Sequence, residues 1–224
     1  MDVASNLHNI ETRINEAAER AGRNPGDIKI IAVTKYVTAA RAKEAYEAGI
    51  RNLGENRSEG ILAKREFFDE QPIWHFIGSL QTRKVKSIID KVNIIHSLDR
   101  ISLAEEIQKR AENPVECLVQ VNVSGEDTKH GITPQETIEF VKQLANFDKI
   151  RIIGLMTMAP LTDNHDVIRQ CFKDLKNLQV QIQNLLLPYA PCRELSMGMS
   201  NDFEIAVEEG STMVRIGTAL VGNE

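Results

Sequence analysis

The sequence predicts an α/β chain folded as a single (β/α)8 TIM-type barrel with an extra N-terminal helix, one domain over residues 1–224. Three observations predict it. Short apolar runs alternate with helical spacing about eight times, a pattern of parallel strands joined by right-handed crossovers. A length of 224 residues suits a compact barrel of that kind. No linker, low-complexity tract or composition shift marks a second domain. An open doubly wound sheet is the architectural alternative.

The elements follow in order. Leu7, Ile10, Ile14 and Ala17 recur at helical spacing over about 5–22, and Gly22 with Asn24-Pro25-Gly26 ends that helix. The run 28–35 (IKIIAVTK) is rich in β-branched residues and reads as a buried strand ending in Lys35. Thr38 then caps a helix that carries Ala42, Ala45 and Tyr46 and stops at Gly49. Strands at 51–54, 73–78 and 92–97 are followed by helices at 56–68, 82–90 and 100–112. A strand at 116–123 precedes a helix that Pro134 opens and that ends near Asn146. The strand at 151–158 leads into a long helix over 164–187, with Val167, Cys171, Leu175 and Leu178 on one face. Strand 193–197, helix 201–209 and strand 213–217 complete the series. Little chain follows the eighth strand, so the eighth helix is expected to be missing and the N-terminal helix to cover its place.

Composition narrows the function. The chain is 42% hydrophobic and 26% charged, with a formal net charge of −5 and a pI near 5.6. Such a chain has no global field to draw nucleic acid or anionic lipid, so any anionic ligand is held locally. Cys117, Cys171 and Cys192 lie far apart, which argues against a disulfide framework or zinc site and suits a reducing compartment. The N-terminus lacks the apolar core of a signal peptide, and no stretch is long enough to cross a membrane. The expectation is a cytoplasmic protein. The five histidines show no metal-ligand spacing, and no metal is inferred.

In parallel barrels the chemistry sits at the C-terminal ends of the strands, with phosphate commonly held by the loops after strands seven and eight. Strand seven runs out into Gly198-Met199-Ser200-Asn201, where Ser200 or Asn201 can cap the next helix and Asn201 with Glu204 has capping-box spacing. Strand eight ends in Arg215-Ile216-Gly217-Thr218, a permissive glycine beside a hydroxyl. These loops read either as a phosphate cup or as a plain cap and turn. Lys35 ends strand one at the same barrel face. It reads either as a desolvated amine ready for Schiff-base chemistry or as a lysine snorkelling at a strand terminus. Together they suggest a phosphorylated carbonyl ligand, a cofactor or a sugar phosphate. Glu55 and Asn56, at the end of strand two, either order a neighbouring polar group or cap the next helix. His75, inside an apolar strand, reads as a satisfied core histidine, and Arg83, Lys84, Lys86 and Lys91 as a solvated face. Nothing in the sequence fixes His130 at the mouth.

The segments IAVTK (31–35), LGENR (53–57), HFIGSLQ (75–81), GLMTMAP (154–160), LSMGMSND (195–202) and VRIGTALVG (214–222) closely resemble the pyridoxal phosphate homeostasis protein family, similar in fold to the N-terminal barrel of alanine racemase. The resemblance runs from the first helix to the C-terminus with the motifs in one order. It implies that pyridoxal 5'-phosphate (PLP) is the cofactor and Lys35 its Schiff-base lysine, with Ser200, Gly217 and Thr218 on the phosphate and Arg215 on the pyridine nitrogen. Asn56 and Met197 are implied as cofactor-lining positions. Arg83 departs from the pattern, since many relatives carry asparagine there.

Three readings compete. The chain buffers or delivers PLP in vitamin B6 homeostasis without committed turnover, and so has no catalytic residue. Alternatively it is a weak amino-acid racemase, or an aldolase-type barrel whose lysine attacks a sugar phosphate. Racemisation needs two bases on opposite faces of the substrate carbon. In alanine racemases the second comes from a C-terminal domain absent here, and Tyr36, Tyr46 and Tyr189 are not placed to replace it. The resemblance therefore favours the first reading, with PLP and PLP-dependent apo-enzymes as partners of a monomer.

Overall fold

The computed structural model describes residues 2–126 and 130–222. Eight parallel strands close into a barrel in which each pairs with the next and the last with the first. They are β1 (Lys29–Val33), β2 (Asn52–Glu55), β3 (Ile73–Phe76), β4 (Ile94–Leu98), β5 (Val115–Gln120), β6 (Ile150–Met156), β7 (Glu194–Met199) and β8 (Met213–Ile216). Helix α1 (Val3–Arg20) precedes the barrel. Helices α2 (Ala39–Glu47), α3 (Ser58–Arg65), α4 (Thr82–Ile88), α5 (Ile101–Arg110), α6 (Pro134–Gln143), α7 (His165–Gln183) and α8 (Phe203–Glu208) follow successive strands. The closed barrel replaces the open-sheet alternative.

Local chemistry sets the boundaries. Thr38 accepts the Arg41 N–H at 3.2 Å and starts α2, and Pro134 occupies the first turn of α6. The predicted stripe of α1 is buried in full. In α7 the stripe is rotated by one residue at its start: Ile168 is buried and Val167 faces solvent, because the helix begins with Asn164 as its cap.

The end of the chain differs in part from expectation. A four-residue helix, α9 (Thr218–Val221), does follow β8. The larger role still falls to α1, which packs on both α8 and α9 as expected. Arg13 pairs with Glu204 at 2.7 Å, Arg20 with Glu208 at 2.8 Å, and Asn6 Nδ2 donates to the Leu220 carbonyl at 2.9 Å.

Strand alternation divides the interior in two. Trp74, Phe76, Ile95, Leu195, Met197, Val214 and Ile216 face outward into the main core under the helices. Between them, Ile31, Ile94, Leu118, Ile153, Met156 and Met213 form a separate cluster that fills the lumen. The lumen also holds polar side chains, His75, His96, Ser196 and Arg215, all buried.

Candidate functional site

A cavity of about 380 Å³ opens at the C-terminal ends of the strands, within the roughly 300–1,000 Å³ of small-molecule sites. Six of the seven residues predicted for the site line it: Lys35, Asn56, Ser200, Arg215, Gly217 and Thr218. Met197 does not. Its side chain points the other way from Ser196 and is fully buried in the outer core. Only its backbone belongs to the strand that feeds the site, where its carbonyl accepts the Ser211 hydroxyl at 2.7 Å.

Lys35 stands two residues beyond β1, whose regular pairing stops at Val33. It is exposed, which fits the snorkelling reading of this residue rather than the desolvated one. Its ammonium sits 4.8 Å from the centre of the Tyr36 ring, which also lines the cavity. The turn beneath Lys35 is braced from below. Thr34 N–H donates to the Gly54 carbonyl at 3.0 Å, and Thr34 Oγ1 donates to Glu55 Oε1 at 2.6 Å. The Glu55 carboxylate is also paired with the buried Lys64 ammonium at 2.9 Å. Gly60 makes room for it, since a Cβ there would lie 2.3 Å from Glu55 Oε2. Glu55 thus orders its neighbours, and α3 starts at Arg57 without a side-chain cap.

After β7 the chain turns through Ser200 and Asn201 and enters α8 at Asp202, later than the predicted start at 201. The expected Asn201–Glu204 capping box is absent: Glu204 is drawn away to Arg13. Asp202 Oδ1 instead accepts the Met199 N–H at 2.5 Å while its own N–H donates to the Met199 carbonyl at 3.1 Å. This reciprocal clasp holds Ser200 and Asn201 at the tip of a tight turn in the cavity wall. Burial pushes the Asp202 carboxyl above its ordinary value, against the Met199 N–H and the charge of Arg215. Gly198, with φ of +96°, lets β7 approach α8; a Cβ there would lie 2.6 Å from that of Ala206.

Arg215 lies between Val214 and Ile216 on β8 and so projects into the lumen. Its Nη1 donates to Ser196 Oγ at 2.6 Å and its Nη2 to the Thr157 carbonyl at 3.0 Å. Burial lowers its guanidinium to about 10, opposed by Asp202, which leaves it charged at neutral pH. Behind it, Ser196 Oγ meets His96 Nδ1 at 2.9 Å, His96 Nε2 meets His75 Nδ1 at 2.8 Å, and His75 Nε2 meets Asn52 Oδ1 at 3.0 Å. His75 is therefore a satisfied core histidine, as expected. Burial pulls its imidazole down to about 3, and lowers His96 well below the usual histidine value.

Other candidates stay apart from the cavity. Arg83 Nε donates to Gln81 Oε1 at 2.9 Å and Lys84 pairs with Glu59. His130 is exposed and absent from the cavity wall. Sequence reasoning weighs Tyr36 only as a second base and does not single out Thr34, Lys64, Asp202, Ser196 or His96. Asp202 alone had a usable local signal, an aspartate immediately before Phe203, Ile205 and Ala206. Cys117, Cys171 and Cys192 are buried and form no disulfide among the described residues. Among the described residues no cluster of histidine, cysteine or carboxylate side chains could hold a metal ion, and no helix is long and apolar enough to cross a membrane.

The donor set fits a phosphorylated aldehyde on a pyridine ring. It offers one exposed amine, a buried cationic donor, and a hydroxyl-bearing turn facing a glycine–threonine turn, all on one cavity. Residues 5–224 match the family model for the alanine racemase N-terminal domain. The chain is 42% identical to the pyridoxal phosphate homeostasis protein of Aquifex aeolicus, over 99% of this chain and 98% of that protein. It is 39% identical to the protein of the same name from Pseudomonas aeruginosa, over 98% of this chain and 95% of that one. PipY of Synechococcus elongatus, solved with PLP bound, superposes with a TM-score of 0.83 at 30% identity, covering 98% of this chain and all of PipY (100%). The alanine racemase of Corynebacterium glutamicum shares the fold at a TM-score of 0.75 and 14% identity, and the match covers 60% of that longer chain. From the family model and full-length identities above 30%, the chain belongs to the alanine racemase N-terminal domain family and, within it, to the pyridoxal phosphate homeostasis proteins.

Proposed function

We propose that this chain binds PLP at the barrel mouth and buffers or delivers it in intracellular vitamin B6 homeostasis, without committed turnover. The observation that carries the reading is the meeting of Lys35, Arg215 and the two turns at Ser200 and Gly217–Thr218 on one cavity. Lys35 Nζ is the amine that holds the cofactor's aldehyde carbon as a Schiff base. Ser200, Gly217 and Thr218 hold the phosphate, and Asn56 lines the ring. Bound there, the cofactor would supply a reversible amine-reactive carbonyl and a pyridine ring able to accept electron density.

The protein's own residues argue against using that ring for turnover. Arg215 is a donor-only cation, so it disfavours a proton on the pyridine nitrogen and weakens the ring as an electron sink. Tyr36 lies against Lys35 rather than across the cavity from it, so the pair does not offer bases on opposite faces. Exposure of Lys35 leaves the attachment within reach of solvent and of an acceptor's amine, which suits release. We place the protein in the cytoplasm as a monomer, with PLP-dependent apo-enzymes as its recipients.

The test is a titration of the cofactor-free chain with PLP, read by visible absorbance, beside Lys35→Ala. The chain is expected to develop a band that the variant lacks. A Lys35→Ala protein with the same band refutes the assignment, and a racemase rate comparable to that of a dedicated enzyme refutes the carrier reading.

A further inference from the structure

The lumen of a parallel barrel is ordinarily filled by layers of branched apolar side chains. Here a polar line crosses it beside the apolar cluster, built from β2, β3, β4, β7 and β8 through Asn52, His75, His96, Ser196 and Arg215. His75, His96 and Ser196 are fully buried, and each adjacent pair lies 2.6–3.0 Å apart.

The direction of every bond follows from the chemistry at the two ends. Arg215 can only donate, so Ser196 Oγ accepts from it and must place its own proton elsewhere. Among the described residues the acceptor in reach of that proton is His96 Nδ1. A neutral His96 then carries its proton on Nε2 and donates to His75 Nδ1. His75 carries its proton on Nε2 and donates to Asn52 Oδ1. All donors point away from the mouth. The low basicity that burial imposes on both imidazoles agrees with this arrangement.

We propose that His96, with His75 behind it, is a positioning residue for the cofactor: its Nδ1 lone pair fixes Ser196 as the acceptor that holds Arg215 toward the cofactor ring. The proposal rests on the PLP reading above. Two of the five N–H groups of the guanidinium are spent on Ser196 and the Thr157 carbonyl, which sets the plane of a side chain that lines the cavity. Removing the acceptor behind Ser196 frees its hydroxyl to turn and compete for other partners, and Arg215 loses its register.

The test compares His96→Asn with His96→Leu. The two side chains have nearly one shape, but asparagine keeps an oxygen near the Nδ1 position and leucine has none. The readouts are the PLP dissociation constant and the ¹⁵N chemical shift of the ring nitrogen in labelled PLP. The Asn variant is expected to match the unsubstituted protein in both. The Leu variant is expected to bind roughly tenfold more weakly, with the ring-nitrogen signal displaced. Equal behaviour of the two variants overturns the proposal while leaving the PLP reading intact. An unsubstituted protein that takes up no PLP overturns both. Should the Leu variant fail to fold, Ser196→Ala removes the same link with a smaller change; unaltered affinity and shift there overturn the proposal.

Discussion

Acidification should destabilise this fold well before its carboxylates titrate, because two neutral histidines are buried in the barrel lumen. In the unfolded chain His75 and His96 take up protons near 6.5, whereas in the fold burial holds His75 down to about 3 and His96 well below its ordinary value. Below about pH 6.5 the unfolded state therefore binds more protons than the folded one, and stability falls as pH falls. At pH 5 the shift of His75 alone costs about 2 kcal/mol, and His96 adds to the loss in the same direction. That is a large share of the roughly 5–15 kcal/mol that holds a typical domain together. Carboxylates held below their ordinary value act lower down. Glu59, held at about 2 chiefly by its bond from Lys84, gives up its contribution only as pH falls from about 4.5 toward that value. The assay is urea unfolding of the cofactor-free chain at about pH 7.5 and about pH 5, where a midpoint drop of roughly 1–2 M is expected. The same titration on a His75→Gln/His96→Asn chain should be nearly flat. Equal midpoints for the unsubstituted protein at both pH values would refute the reasoning.

Glu55→Ala should destabilise by about 3–5 kcal/mol, since it strands the buried Lys64 ammonium, and should also loosen the turn carrying Lys35; thermal melting and PLP affinity report the two effects. Gly198→Ala places a methyl group 2.6 Å from Ala206 Cβ at a positive φ, so a loss of about 2 kcal/mol or more is expected by denaturant titration. Ser200→Ala should leave reducible attachment at Lys35 intact while weakening PLP retention by roughly 1 kcal/mol, measured by equilibrium dialysis.

Much of this architecture was legible in the sequence because each strand has both faces buried and reads as a short apolar run. Runs such as IKIIAV and RIIGLM announce themselves, and Thr38 and Pro134 mark helix starts by local chemistry alone. The errors arose where tertiary contacts outbid local signals. Asn201 and Glu204 have the spacing of a capping box, but Arg13 on α1 captures Glu204 and Asp202 takes the cap position. Val167 fits the helical stripe as well as Ile168 until the start of α7 is fixed by Asn164. Met197 shares a motif with the mouth residues, yet strand parity sends Ser196 inward and the Met197 side chain outward. The mouth residues could be named from motif order, whereas the line behind Arg215 could not. Bonded neighbours in it lie up to 100 residues apart, and His75 and His96 have no spacing that distinguishes such a line from ordinary core histidines. Thr34, Glu55 and Lys64 converge from the turn after β1, from β2 and from α3 in the same non-local way.

The central claim is that one amine, Lys35, holds PLP at the mouth of this barrel. Its most direct test is borohydride reduction of the PLP-loaded protein followed by mass mapping of its peptides. The account predicts a visible band lost on reduction and a pyridoxyl mass on the peptide containing Lys35. A colourless protein that takes up no added PLP, or an adduct mapped to another lysine with Lys35 unmodified, would contradict it.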